Sequence, residues 1–206
     1  MQSNETSSKA EHFFLLCKAY SLALALGAAC LLLQATGLAE KLRFSRAEID
    51  SGEWWRILTG NLVHLGYPHL FLNLAGLAII TLLLAHTMTG RQWFVTGLVS
   101  MLGVGIGLLL LDPQLSWYVG LSGALYGLLL GGAIAEYRNH KPISLLLVAY
   151  TVGKIVWEQL YGAVESSERI SGGTVIVNAH MYGMVAGGLA VTAMLAVSSF
   201  LHRQPS

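Results

Sequence analysis

The chain has 206 residues, of which 54% are hydrophobic and only 11% charged, with a mean hydropathy of +0.60 and a formal net charge of +1. A soluble domain carries nearer a quarter charged residues, so the composition is that of a membrane protein. The near-neutral balance leaves no basic footprint for nucleic acid.

A membrane span needs about 20 apolar residues, and the first candidate is Phe13–Ala35, after a short cytoplasmic tail at 1–12. Lys9 and Lys18 ahead of Ala19–Ala35 imitate a signal peptide. The run is longer than such a segment needs and more spans follow, so a retained helix is expected. Cys17 and Cys30 both fall in this stretch and read as small apolar packing residues, with no disulfide or metal role. Thr36–Gly66 comes next and mixes Lys41, Arg43, Arg46 and Arg56 with Glu40, Glu48, Asp50 and Glu53 around Trp54 and Trp55. Balanced charges beside tryptophans predict a structured first loop lying at the membrane interface.

Five further spans are expected at about Tyr67–His86, Gln92–Leu111, Val119–Tyr137, Pro142–Gly162 and Val175–Leu201, followed by a tail at 202–206. The last is long enough to tilt. The expected fold is therefore an all-α membrane protein, one domain over 1–206 with six transmembrane helices. With the N-terminus inside, cytoplasmic positions hold Lys9, Lys18, Arg91, Arg138, Lys141 and Arg203. The outside holds Arg169 plus the basic residues of the first loop, which acidic residues accompany. The short loops favour N-in, C-in.

Polar groups inside spans are costly and face a protein interior or a wet cavity. Here they form a pattern. His64, His69 and Asn73 lie near the start of the second span, Ser122 at the start of the fourth, and Asn178 and His180 near the start of the sixth. These three spans run the same way, so their N-terminal ends share one face. At 1.5 Å per residue the groups sit at one shallow level. Gly123, Gly127 and Gly131 on the fourth span, and Gly183 and Gly187 on the sixth, would let the two helices pack closely.

The chemistry follows from these groups. A serine hydroxyl needs a base, and His180 is the imidazole placed to take the Ser122 proton. No acidic residue neighbours either in sequence, so a dyad rather than a triad is expected. Tyr126, four residues after Ser122, shares its helix face and would stack on the imidazole. His69 and Asn73, also four apart, would supply N–H donors to an oxyanion, with the Ser122 backbone N–H as a third.

Trp55-Arg56, then His64, His69 and Asn73, resemble the WR…HxxxxHxxxN pattern of the rhomboid intramembrane serine proteases. Gly120-Leu121-Ser122-Gly123-Ala124-Leu125-Tyr126 resembles their GxSGxxxY nucleophile motif. Ala179-His180-Met181-Tyr182-Gly183, with Gly187, resembles their AHxxGxxxG base motif. The resemblance runs from Trp55 to Gly187. It implies a Ser122–His180 dyad, an oxyanion site of the Ser122 N–H, His69 and Asn73, and a cavity open to the side opposite the cytoplasm. The fifth helix is the gate it suggests.

Within that family, Asn61-Leu62-Val63-His64-Leu65-Gly66-Tyr67-Pro68-His69 and Lys154-Ile155-Val156-Trp157-Glu158-Gln159 resemble the rhombosortases. That likeness implies a bacterial inner-membrane enzyme. Its substrates would be secreted proteins ending in a glycine-rich motif, an apolar helix and a basic tail, the GlyGly-CTERM tag. No metal or cofactor is implied; membrane lipid and the substrate are the partners, and the oligomeric state is left open.

Lys154 and Glu158, four apart in an apolar helix, suit a structural ion pair. The sharper alternative has Glu158 facing the cavity and reading a basic or amide group of substrate. His64, Asn178, Glu158 and Lys154 are thus the candidate substrate contacts, with Asn178 bonding either a loop or substrate backbone. Trp55 and Arg56 are expected to anchor the first loop at the interface, and His12, His86, His140 and His202 to be solvated. Two other functions stay open: a relative that has lost catalysis, although such proteins usually lack the serine or the histidine, and a small transporter, although no internal repeat is apparent.

Overall fold

A computed structural model describes the backbone of residues 2–201 and the side chains of residues 17–201. The tail at 202–206, with His202 and Arg203, and the side chains of Lys9 and His12 lie outside the described residues. In chain order the elements are α1 (Gln2–Ala35), α2 (Ala39–Leu42), β1 (Phe44–Ser45), α3 (Arg46–Asp50), α4 (Arg56–Thr59), α5 (Tyr67–Leu84), α6 (Gly90–Leu111), β2 (Trp117–Tyr118), α7 (Ser122–Glu136), α8 (Lys141–Tyr161), α9 (Glu165–Ser171) and α10 (Val177–Leu201).

Local chemistry sets these boundaries. Pro68 and Pro142 sit in the first turns of α5 and α8, where the missing N–H has no helical partner to lose. α6 opens on a capping box in which the Thr89 hydroxyl accepts from the Gln92 N–H and the Gln92 side chain accepts from the Thr89 N–H. Gly172 ends α9 in the left-handed conformation.

Among the described residues, five helices are long and apolar enough to cross a membrane: α1 within Cys17–Ala35, α5, α6, α8 and α10. The chain is an all-α, multi-pass membrane protein. Two boundaries differ from expectation. α1 is already helical from Gln2, ahead of the expected start at Phe13. The expected fourth span forms helix only over 15 residues, about 22 Å long, because Val119–Leu121 is still loop when the polar group at Ser122 arrives.

That short helix is the centre of the bundle. α7 packs against α10, α6, α8 and α5, while α1 covers α5 and α6 from outside. Leu82, Leu110, Leu146, Leu160 and Leu189 point outward, an apolar surface suited to lipid around backbones that satisfy their own hydrogen bonds.

Glycines set the α7–α10 distance. A Cβ added at Gly123 would lie 2.6 Å from the Ala179 carbonyl oxygen, and one at Gly187 would lie 2.5 Å from that of Gly127. One at Gly183 would meet the Gly123 carbonyl, and one at Gly127 the Gly183 carbonyl and the Ser100 hydroxyl. Backbone therefore packs on backbone along two turns, which only residues without a side chain permit.

The stretch between α1 and α5 is structured, as expected. Phe44 and Ser45 pair antiparallel with Tyr118 and Trp117. The Arg46 guanidinium donates to the carbonyls of Leu108, Leu109, Asp112 and Leu115, covering the open end of α6. Arg56 is not a free interfacial anchor. It is buried and donates to Glu53 and to the Glu40 and Arg43 carbonyls, tying the loop to itself. Its neighbour Trp55 is exposed.

Gly183→Ala should lower the thermal midpoint in detergent by an overpacking cost of about 1–3 kcal/mol. Gly153→Ala, where a Cβ meets nothing within 4 Å, should leave the midpoint unchanged or raise it slightly. Equal midpoints for Gly183→Ala and wild type would contradict the backbone contact.

Candidate active site

The closed approach of α7 and α10 places Ser122 at the head of one helix beside His180 in the first turns of the other. The Ser122 Oγ and His180 Nε2 lie 2.9 Å apart. Tyr126, one turn further along α7, stacks obliquely on the imidazole, with ring centroids 4.8 Å apart and planes at 45°.

The loop into Ser122 is held by backbone geometry. Gly120 has φ +124, a conformation that L side chains rarely adopt. Its N–H donates to the Gly60 carbonyl at 3.1 Å, and its own carbonyl accepts from the Tyr118 hydroxyl at 2.7 Å. Burial pushes the Tyr118 phenol up, which keeps it a donor. A Cβ at Gly120 would lie 2.8 Å from His69 Cε1, so the bare glycine lets the His69 ring rest against the loop that leads to Ser122.

His69 and Asn73 sit one turn apart on α5, both buried. The Leu65 N–H donates to His69 Nδ1 over a long 3.5 Å, which leaves the ring proton on Nε2, the atom beside Gly120. Asn73 Nδ2 donates to the His69 carbonyl at 2.9 Å, while its Oδ1 is buried without a partner among the described residues. One amide proton of Asn73 thus serves its own helix and the second is left for the cavity.

Glu158 is where sequence reasoning missed the arrangement. No carboxylate was expected near His180, yet Glu158 Oε2 lies 2.8 Å from His180 Nδ1. Its other oxygen accepts from the Lys154 ammonium. Both the ion pair and the cavity-facing position hold, but the carboxylate is already engaged on both oxygens. The residues are 22 apart in sequence and meet because α8 and α10 both flank α7.

Two proposed substrate contacts are placed elsewhere. Asn178 donates to Asp112 Oδ1 at 2.7 Å, joining the start of α10 to the end of α6. His64 is buried behind His69, ring centroids 5.1 Å apart and nearly perpendicular. Neither lines the cavity. At the other end of the bundle His86 is not merely solvated: its Nε2 lies 3.2 Å from the buried Glu136 carboxylate.

The cavity itself is about 860 Å³ and brings together His69, Asn73, Ser122, Tyr126, Lys154, Glu158 and His180 at one end. Its walls continue along apolar residues of α5 and α8, among them Leu72, Ile79, Leu83, Leu147 and Tyr150, and the segment Gly172–Ile176 borders it. α5 and α8 each pack on α7 but scarcely on one another, so an apolar trough runs between them to the polar cluster.

Residues 51–197 match the family model described as Rhomboid domain. Over 150 residues the chain is 26% identical to a Bacillus subtilis (strain 168) protein named "Putative rhomboid protease YdcA", and the aligned part is 68% of this chain and 67% of that one. All of the residues brought together around Ser122 and His180 fall within the matched segment.

Burial, and then the neighbouring His69, push the His64 imidazole down to about 3. The unfolded chain therefore takes up a proton below pH ~6.5 that the folded chain refuses, and stability falls as pH drops from there toward 3, by up to ~1.4 kcal/mol per pH unit. The thermal midpoint should be lower at pH 4.5 than at pH 7, and His64→Phe should flatten that dependence. An unchanged slope in the variant would contradict the assignment.

Proposed function

Since the chain belongs to the rhomboid family, we propose that it is an intramembrane serine endopeptidase in which Ser122 is the nucleophile and His180 the general base. The observation that carries this reading is the 2.9 Å contact between the Ser122 Oγ and His180 Nε2 at the head of an apolar trough. As the Ser122 oxygen bonds the scissile carbonyl carbon, its proton passes to His180 Nε2; His180 then gives that proton to the leaving amine as the C–N bond breaks. Water later takes the place of the amine and releases the acyl group from Ser122.

The developing oxyanion is supported from three sides. The Ser122 N–H opens α7, where the helix leaves its first N–H groups without partners and favours negative charge. His69 Nε2 and the second Asn73 proton complete the donor set. Donors aimed at charge that appears only in the transition state are worth about 3–4 kcal/mol each. Tyr126 holds the imidazole plane. The trough between α5 and α8 suits an apolar helix whose end unwinds beside Ser122.

In this reading the whole chain is one rhomboid domain, α7 is a sixth span that crosses with its short length, and both termini are cytoplasmic. The first loop, with Trp54 and Trp55 exposed, then lies at the outer interface of a bacterial inner membrane, and the cavity opens on the periplasmic side. The broad substrate class is single-span membrane proteins. The narrower reading as a rhombosortase, cutting GlyGly-CTERM tags, is supported by the Asn61–His69 and Lys154–Gln159 runs. A non-catalytic binding relative is disfavoured by the retention of both serine and histidine.

Co-expression with a single-span fusion carrying a glycine-rich motif, an apolar helix and a basic tail should give a released product. Ser122→Ala and His180→Ala should each reduce release by roughly 10³-fold or more at normal membrane levels. Cleavage persisting in either variant would overturn the reading. Replacing the glycine-rich motif by an ordinary helix entry should abolish release if the narrower reading holds and leave it intact if only the broad one does.

A further inference from the structure

We infer that Glu158 is a positioning residue that fixes the tautomer of His180, so that the site works as a Ser122–His180–Glu158 triad. This rests on the reading of Ser122 and His180 as nucleophile and base. The carboxylate is buried, with Oε2 at 2.8 Å from His180 Nδ1 and Oε1 taken by the Lys154 ammonium. An ionised carboxylate only accepts hydrogen bonds. The proton of the neutral imidazole must therefore sit on Nδ1, which leaves the Nε2 lone pair facing the Ser122 hydroxyl. When that hydroxyl attacks, its proton makes His180 an imidazolium whose charge lies against Glu158. The Nδ1 proton stays where it is.

Two simpler roles account for less of this geometry. An ion pair along α8 needs only the Oε1–Lys154 contact and gives no reason for the second oxygen to meet an imidazole on α10. A substrate-reading role gives no reason for each oxygen to meet a partner within the protein. Lys154 has a part of its own: by holding Oε1 it fixes which face of the carboxylate meets His180.

That part makes a specific expectation. In Glu158→Gln the ammonium, which has donors only, draws the amide oxygen and turns the –NH₂ toward His180 Nδ1. Nδ1 must then accept, the ring proton moves to Nε2, and Ser122 faces an N–H that cannot take its proton. The further change Lys154→Met removes the ammonium and lets the amide turn its oxygen to Nδ1–H. Activity should then return in part.

The test is saturation kinetics of a small fluorophosphonate reacting with purified protein in detergent, a probe that makes no use of a substrate tag. Wild type should be modified at Ser122. Glu158→Gln should lower the maximal rate by roughly 10³–10⁴-fold, the scale seen when a triad carboxylate becomes an amide, while the half-saturating concentration stays within about twofold. Lys154→Met with Glu158→Gln should regain at least about tenfold, the worth of one restored hydrogen bond. Glu158→Asp, which keeps the charge one methylene shorter, should fall between wild type and Glu158→Gln and covers the case in which the amide variant does not fold.

An equal maximal rate in wild type, Glu158→Asp and Glu158→Gln would overturn the inference alone. A double variant no faster than a folded Glu158→Gln would also overturn it, as would a change confined to half-saturation, which marks a binding role. Wild type unmodified at Ser122 would instead overturn the catalytic reading beneath it.

Discussion

Two helix backbones in van der Waals contact govern this molecule. α7 and α10 meet glycine on glycine, and a methyl group at Gly123, Gly127, Gly183 or Gly187 would run into the facing carbonyl or side chain. A hydrogen bond such as that between Ser122 and His180 tolerates only a few tenths of an ångström. Since lipid tails are as apolar as the side chains, no hydrophobic drive forces such helices together, and close packing has to supply the association. The same contacts that hold the bundle therefore set the distance between hydroxyl and imidazole.

Around that seam several polar residues are tied to partners on other elements. Arg46 covers the carbonyl end of α6, Arg56 ties the first loop to itself, and Asn178 links α10 to Asp112. Glu158 joins Lys154 on its own helix to His180 on another. Isolated charges in an apolar bundle cost several kcal/mol each, and pairing lowers that cost. The atoms left without partners among the described residues include Asn73 Oδ1 and both ring nitrogens of His64, near the cavity end.

Much of this was legible in the sequence. Runs of apolar residues located five spans within a few residues of their ends, and the positions of Ser122, His180, Tyr126, His69 and Asn73 near helix starts anticipated that they meet at one end of the bundle. The brevity of α7 was not legible, because Val119–Leu121 is as apolar as a helix yet is drawn into the turn that Gly120 makes and the strand pair that Tyr118 joins. Nor was the partner of His180. The spacing of Lys154 and Glu158 announces a pair along one helix, but hydropathy carries no information on how α8 is rotated about α7. The role of Arg46 escaped for the same reason, since its partners lie more than 60 residues away. For Asn178 a loop bond was one of two open alternatives, and only its partner, Asp112, was not legible.

The most direct measurement of the central claim is an experimental density map of the protein in lipid after reaction with a fluorophosphonate. The account predicts phosphorus bonded to the Ser122 Oγ, the phosphonyl oxygen beside His69 Nε2 and the Ser122 N–H, and His180 Nε2 still within about 3.2 Å of the Ser122 oxygen. Phosphorus on another residue, or an imidazole separated from Ser122 by more than a bridging water, would contradict it.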